Sequence, residues 1–358
     1  MPANMIFFLG NMIAKDQSAL IRPISIALGY IMDFFFNMAF FVTEPHSLGI
    51  SIILLTIATR FLMLPLAFNS QKSMAAMKKL QPEIDKIKKK YGDNKDPEIQ
   101  QKMNREIQSL YSKNKVNPFG GCLPLLIQMP IFFALSYMMQ QSYLYVRQLG
   151  DIYNTLAEII LSIPDRYNYL LPIVYEKIPK GMELDLSSQI DLVKALNKFT
   201  QQDWQNFLYK TPSELGIQRF GQQEWRSLNA VISEKFVSGI EPILKRKKDI
   251  EFFFGINLKE FSGTRFPGII IPLLSAGTTF LSSWIMNKQQ PPAEGQAKTT
   301  QMAMTYGMPI FIGFTTINFP AGVGIYWITS TVFQVFQQMF LGKYYDKKDE
   351  NLKNEIKS

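Results

Sequence analysis

Leu48-Gly-Ile-Ser-Ile-Ile-Leu-Leu-Thr-Ile-Ala-Thr-Arg60-Phe-Leu-Met-Leu-Pro-Leu-Ala-Phe68 is long and apolar enough to cross a bilayer. It also carries a full positive charge, Arg60, well inside. On insertion scales a guanidinium at the centre of a spanning helix costs about 2.5–3.5 kcal/mol, so the fold has to solvate it. Thr56 lies one helical turn before Arg60 on the same face, and Thr59 precedes it directly. The fold and the function both turn on what surrounds this residue.

Composition sets the class. The chain has 358 residues, 47% of them hydrophobic, with 28 Phe and a net charge of +9. Mean hydropathy is near zero, yet apolar and charged residues fall in separate blocks. That pattern predicts an all-α integral membrane protein with soluble loops. The single cysteine, Cys122, excludes an intrachain disulfide, and the single histidine, His46, argues against a histidine metal site or a catalytic triad. No phosphate-binding loop or dinucleotide fingerprint is present. The start, Met1 to Ala14, lacks a basic segment before its short apolar run, which argues against a cleaved signal peptide. The expectation is no cofactor, no metal, no enzymatic reaction and no nucleic-acid specificity.

Working outward from the first stretch, residues 1–47 read as an external segment. Ile24, Leu28, Ile31, Phe35 and Met38 recur there at helical spacing, and Asp33 in mid-segment favours a helix on the membrane surface over a span. Span 1 covers 48–69. Residues 70–117 then hold 12 Lys and Arg against 6 Asp and Glu. Met77, Leu80, Ile84, Ile87 and Tyr91 form a heptad seam, Asp96-Pro97 starts a second helix, and Ile99, Met103, Ile107 and Leu110 continue the stripe. This predicts an antiparallel helical hairpin, with Pro82 kinking its first arm or resetting its start. Span 2 covers 118–142, inside a stretch without charge from Val116 to Val146.

Residues 143–265 read as a soluble, mainly helical insertion. Helices are predicted over Asp151–Leu161, Ser187–Phe199, Asp203–Tyr209 and Gln222–Lys245, with Ser187 or Ser188 as a cap and Trp204 and Trp225 anchoring a small core. Span 3 covers 266–287, a polar loop 288–301, span 4 302–318, span 5 322–342, and a mixed-charge, frayed tail 343–358. Asn318-Phe-Pro-Ala-Gly322 divides the last two spans.

Lysine and arginine set the orientation. Short segments rich in them stay cytoplasmic, while long loops translocate largely regardless of charge. The hairpin, the 288–301 loop and the tail are therefore cytoplasmic, and the N-terminus and the insertion external. Lys245-Arg-Lys-Lys248 lies on the side that this rule disfavours.

Two readings of Arg60 stand side by side. It can snorkel towards the cytoplasmic end, about 12 Å away at 1.5 Å per residue, or it can face a wet cavity shared with other spans. Polar residues suit the second reading. Ser275, Thr278, Thr279 and Ser282 form one face of span 3, and Trp327, Ser330, Thr331, Gln334 and Gln338 one face of span 5, with Tyr326 and Gln337 beside it. Gln128 is the polar residue of span 2. Taken singly, each small polar residue reads as helix packing. No intramembrane Asp or Glu accompanies Arg60, which argues against a proton relay or a cation path.

Thr59-Arg60-Phe-Leu-Met-Leu-Pro-Leu, with Gln71-Lys-Ser-Met and Leu80-Gln-Pro-Glu-Ile, resembles the first core span and hairpin of the YidC / oxidase-assembly / Albino family of membrane protein insertases. Asn117-Pro-Phe-Gly-Gly-Cys-Leu-Pro-Leu-Leu-Ile-Gln-Met-Pro-Ile-Phe resembles that family's signature at the second span. Phe254-Gly-Ile-Asn-Leu258, Pro272-Leu-Leu-Ser-Ala-Gly-Thr-Thr, Tyr326-Trp327 and Gln337-Gln338 are similar to its later segments.

The resemblance implies a monomeric five-span core in the bacterial plasma membrane, with a hydrophilic groove open to the cytoplasm. It makes Arg60 the groove charge, Thr56 and Gln128 its neighbours, and Tyr326 and Trp327 the lining of the client path. Ser275, Thr279 and Gln334 join this site from the polar faces of spans 3 and 5. The implied partners are nascent membrane-protein clients and the lipid bilayer, with a Sec translocon and a ribosome or targeting factor meeting residues 70–117. The short N-terminal part resembles members from Gram-positive-type bacteria, and the insertion of about 120 residues departs from the family pattern. The alternative from another class is a small-solute transporter or channel with Arg60 as its anion site. An internal repeat would favour it, and the two apolar halves contain none.

Overall fold

The structure is a computed structural model, and it describes residues 21–92, 96–117, 123–162, 184–185, 187–209, 236–289 and 301–357. Along the chain the helices are α1 (Ile21–Val42), α2 (Ser47–Leu62), α3 (Leu64–Tyr91), α4 (Pro97–Lys113), α5 (Leu123–Gln140), α6 (Ser142–Tyr145), α7 (Arg147–Leu161), α8 (Gln189–Asn197), α9 (Gln201–Tyr209) and α10 (Glu241–Glu251). A hairpin of β1 (Phe252–Phe253) and β2 (Ile256–Asn257) follows, then α11 (Ile270–Gln289), α12 (Met308–Ile317) and α13 (Ala321–Lys357). The class is all-α, as expected. Two compact units are formed, one from Met1–Ser51 with Tyr137–Glu260, the other from Ile52–Ser136 with Phe261–Ser358.

In the first unit, α1 buries Leu28, Met32, Phe36 and Ala39 at four- and three-residue steps and exposes Tyr30, Phe34 and Phe41. This stripe is rotated from the expected one: Met38 is exposed, and Ile31 and Phe35 are half-buried. The rotation brings Asp33 onto the buried face. Its Oδ1 accepts from the Arg147 backbone N–H at 3.0 Å and its Oδ2 from Arg147 Nε at 2.7 Å. The carboxylate therefore caps the first turn of α7, where an anion is favoured. Among the described residues, α1 is the one helix long and apolar enough to cross a bilayer as a single piece.

α7 turns Leu149, Ile152, Tyr153, Leu156 and Ile160 inward to meet Leu192, Val193 and Leu196 of α8. Each such side chain, fully buried, contributes about 1.5–3 kcal/mol. Thr200 and Asp203 close α9 reciprocally: Asp203 Oδ2 accepts from the Thr200 N–H at 2.8 Å, and Thr200 Oγ1 from the Asp203 N–H at 3.3 Å. Trp204 packs on Phe199 with ring centroids 5.2 Å apart, as an anchor of this core should. Trp225 lies outside the described residues. Ser188 is the N-cap of α8 but makes no capping bond with its side chain, while Ser187 Oγ donates to Asp185.

Of the helix expected over Gln222–Lys245, the described part is a π turn at Phe236–Ile240 leading into α10, which begins at Glu241 with Pro242 in its first turn. Phe254 and Gly255 form the two-residue turn between β1 and β2, with φ of 47° and 80°. Positive φ at both centres matches the strand twist of a tight hairpin.

In the second unit, α3 and α4 pack as the expected helical pair. Leu80 and Ile84 are buried, and Lys90 meets Glu106 at 3.0 Å. Asp96 Oδ1 accepts from the Glu98 N–H at 2.9 Å, so it is the cap that the sequence predicts. Pro82 does not reset the start of α3, which runs on through it. The break comes earlier, at Met63: α2 and α3 meet at a 56° bend, with Pro65 in the first turn of α3. Pro65 has no N–H for the preceding turn and disfavours helical geometry at the residue before it.

α11 packs on α12 and α13. Small residues allow the approach: a Cβ on Gly324 would fall 2.1 Å from Ile271 Cγ2, and one on Gly313 3.0 Å from Ala276 Cβ. The outer faces expose Leu273, Phe280, Phe311, Phe314, Phe336 and Phe340, an apolar surface suited to lipid. The tail, expected to fray, continues α13 without interruption to Lys357.

Candidate functional site

The site is built around α13. Ala321 to Leu341 is free of charge, and its polar residues fall at helical steps, so Tyr326, Ser330 and Gln334 share one face and Trp327 and Thr331 the adjacent one. Each of three other helices sends a polar side chain to these faces.

Arg60 arrives in the last turn of α2. Its Nε donates to Ser330 Oγ at 2.8 Å, and its Nη2 donates to the same oxygen. Among the described residues no carboxylate pairs with it. A guanidinium carries five N–H donors, so one hydroxyl leaves most of them without an acceptor among the described residues. Thr56 and Thr59 are buried, but both hydroxyls are spent inside α2. Thr56 Oγ1 donates to the Ile52 carbonyl at 2.6 Å, and Thr59 Oγ1 to the Thr56 carbonyl at 2.8 Å. Thr56 is thus near Arg60 in sequence without being its hydrogen-bond partner.

From α5, Gln128 Nε2 donates to the Tyr326 hydroxyl, both side chains being buried. From α11, Thr279 Oγ1 accepts from Trp327 Nε1 at 2.9 Å and donates to the Ser275 carbonyl at 2.6 Å. Thr278 and Thr331 hydroxyls meet at 3.2 Å. The Ser275 hydroxyl is buried and has no partner among the described residues. Phe132 packs edge-on to Trp327 with centroids 5.7 Å apart.

Every residue expected at the site is therefore in this unit. Arg60, Gln128, Thr279, Tyr326 and Trp327 are joined through contacts with α13. Ser275 is buried nearby on α11, Gln334 is half-buried one turn from Ser330, and Thr56 turns to its own helix. Ser330 is the partner that the sequence did not single out. The available signal was its place one turn from Tyr326 on the polar stripe.

Chemically the arrangement offers, among the described residues, one cation beside neutral donors and acceptors. It can attract and hold a polar or negative group.

Known proteins resemble this chain over most of its length. A family model described as 60Kd inner membrane protein matches residues 40–184 and 226–348. The chain is 32% identical over 297 residues to membrane protein insertase YidC 1 of Lactococcus lactis subsp. lactis, covering 83% of this chain and 69% of that protein. It is 51% identical over 94 residues to membrane protein insertase YidC of Anaeromyxobacter dehalogenans, and 37% identical over 178 residues to that of Shewanella amazonensis. Those matches cover 16% and 30% of the two longer relatives. None of these relatives is named as a transporter of small solutes.

Proposed function

The chain belongs to the 60Kd inner membrane protein family, and from that premise we propose that it is a membrane protein insertase and chaperone of the bacterial inner membrane. It receives the polar segment of a client in a groove open to the cytoplasm and releases the client's apolar segment into the bilayer. No bond is made or broken. The observation that carries the reading is Arg60, held by the neutral Ser330 hydroxyl with no carboxylate paired to it among the described residues. A fixed cation in a low dielectric attracts an acidic segment strongly, and a hydrophilic groove part-way across shortens the apolar barrier that the segment must pass.

In this reading the spans are 48–69, 118–142, 266–287, 302–318 and 322–342, with the N-terminus external and the tail cytoplasmic. α1 stays at the outer surface, because the bond from Asp33 at its middle to Arg147 ties it to the base of the external insertion. Thr56 and Ser275 belong to the groove wall, and Tyr326, Trp327 and Gln334 to the client path. The basic helical pair of 70–117 is the surface on which a ribosome, a targeting factor or a Sec translocon would dock.

The test is reconstitution of the purified chain in liposomes with a single-span client bearing an acidic N-terminal tail, scored by protease protection. Arg60→Ala should lower insertion at least about tenfold, a loss of about 1.4 kcal/mol or more. Arg60→Lys, which keeps the charge but loses the planar fork, should fall between. Equal insertion with Arg60→Ala would defeat the groove mechanism for that client.

A further inference from the structure

The polar groups around α13 change character within one helical turn. At Ser330, Arg60 keeps most of its donors without an acceptor among the described residues, and Gln334 beyond it is half-buried. Donors of this kind need water. One turn back, towards the Phe319 turn that joins α12 to α13, the donors are spent inside the protein. Gln128 Nε2 donates to the Tyr326 hydroxyl. Trp327 Nε1 donates to Thr279 Oγ1 at 2.9 Å, and that hydroxyl donates on to the Ser275 carbonyl at 2.6 Å.

Rings fill the same level. Phe132 of α5 stands edge-on to Trp327, with centroids 5.7 Å apart, and edge-on to Phe319 at 4.8 Å. Phe132, Tyr326 and Trp327 are each at 9% exposure or less, and Val323, one turn beyond Trp327, is at 0%. The next residue of α5, Phe133, is 43% exposed. α5 thus directs one phenylalanine to the polar face of α13 and its neighbour outward.

Apolar constrictions close a pore by excluding water, and fixed cations make a wet pore selective for anions. A groove that holds Arg60 and continued past Trp327 would be an anion leak. We propose that Phe132, packed against Trp327 and Phe319, is the seal of the groove and stops water and anions one helical turn beyond Arg60. The Gln128–Tyr326 bond lets α5 close on α13 without stranding the amide N–H. The proposal rests on the groove reading above, in which the Phe319 turn is external.

The experiment uses the full chain in liposomes loaded with potassium chloride, with valinomycin to let potassium follow. Chloride efflux from vesicles holding the parent should match that from empty vesicles. Phe132→Ala and Phe132→Ser should raise it at least about tenfold, and Phe132→Leu should hold it near the parent. Phe133→Ala, which removes the same ring from the outward surface, should leave it unchanged. Adding Arg60→Ala to Phe132→Ala should lower the chloride flux at least about threefold, because the cation that selects anions is gone. Thiol labelling in a Cys122→Ser background decides the matter even where the Phe132 variants fail to fold: Gln334→Cys should react with a water-soluble maleimide and Val323→Cys should not. A parent that leaks chloride overturns the proposal. So do folded Phe132→Ala and Phe132→Ser proteins that leak no faster than Phe133→Ala, or equal labelling of Val323→Cys and Gln334→Cys. Insertion of the acidic-tailed client is scored on the same vesicles. Failure of the parent to insert it defeats the insertase reading, while flux and labelling alone decide the seal.

Discussion

Lys259 and Arg60, two largely enclosed cations of this chain, are solvated in opposite ways. Lys259 is buried against a carboxylate that it shares with Lys247, with Tyr153 and Asn197 filling the remaining hydrogen bonds. Arg60 has one hydroxyl, from Ser330, and no counter-ion among the described residues. The first arrangement is closed on the protein's own groups. The second leaves donors over and makes sense only if water or a client supplies the rest. A charge that a protein needs for its fold is paired, whereas a charge that it needs for a passing partner is left open. The difference is one of function, since both residues are cations among largely apolar neighbours.

The largest effect should come from removing the centre of the closed arrangement. Glu251→Gln leaves Lys247 and Lys259 buried without their carboxylate, and breaking a buried pair from one side costs about 3–5 kcal/mol. Chemical unfolding of the detergent-solubilised chain, followed by the fluorescence of Trp204, measures it. A loss under 1 kcal/mol would mean that water already reaches this cluster, and the contrast with Arg60 would vanish.

A pH series sharpens the same contrast. Burial pulls the Lys259 ammonium down to about 8, with Glu251 only partly opposing it. Its ordinary value is 10.5, so between pH 8 and 10 the unfolded chain holds more protons than the folded one, and stability rises with pH. Glu251 behaves in the acid range. Burial pushes its carboxyl up, but Lys247 and Lys259 outweigh burial and hold it below its ordinary 4.5. Its contribution is therefore present above pH 4.5 and lost as pH falls below. Lys259→Met should abolish the alkaline rise. The window stops at pH 10 because Tyr153, whose phenol is raised well above its ordinary value, destabilises the fold beyond it. An alkaline rise that survives in Lys259→Met would assign it elsewhere.

How much of this was legible in the sequence follows from the range of each interaction. The Asp96 cap, the heptad seam over Leu80 and Ile84, and the polar stripes of α11 and α13 are local patterns, and the structure has all of them. Arg60 was legible as an anomaly, because an apolar run makes a charge conspicuous. Its partner was not. Ser330 lies 270 residues away, and a single serine on a spanning helix looks like packing. The Glu251 cluster was invisible for the same reason: Tyr153, Asn197, Glu251 and Lys259 are brought together only by tertiary structure. The face of α1 was read rotated, with Ile31, Phe35 and Met38 inward, because spacing alone does not show which apolar residues pack, whereas the bond from Asp33 to Arg147 fixes the buried face. At the α2–α3 junction two prolines competed, and the one in the first turn of α3 marks the break while the one in its interior is absorbed.

The smallest effect should come from Ser330→Ala, and it decides whether Arg60 is open at all. A hydrogen bond to a charged group is worth about 1.5–3 kcal/mol when its loss strands the charge. Hydrogen bonds between spanning helices average only about 0.6 kcal/mol, because alternative partners are found. In a wet groove, water takes the place of the hydroxyl. Ser330→Ala should then cost under about 1 kcal/mol in unfolding, and client insertion should stay within about twofold of the parent, in contrast to Arg60→Ala. A loss near 3 kcal/mol would mean that Ser330 does for Arg60 what Glu251 does for Lys259. The site would then be dry, the guanidinium closed on the protein, and the groove would have to receive its clients by some other group.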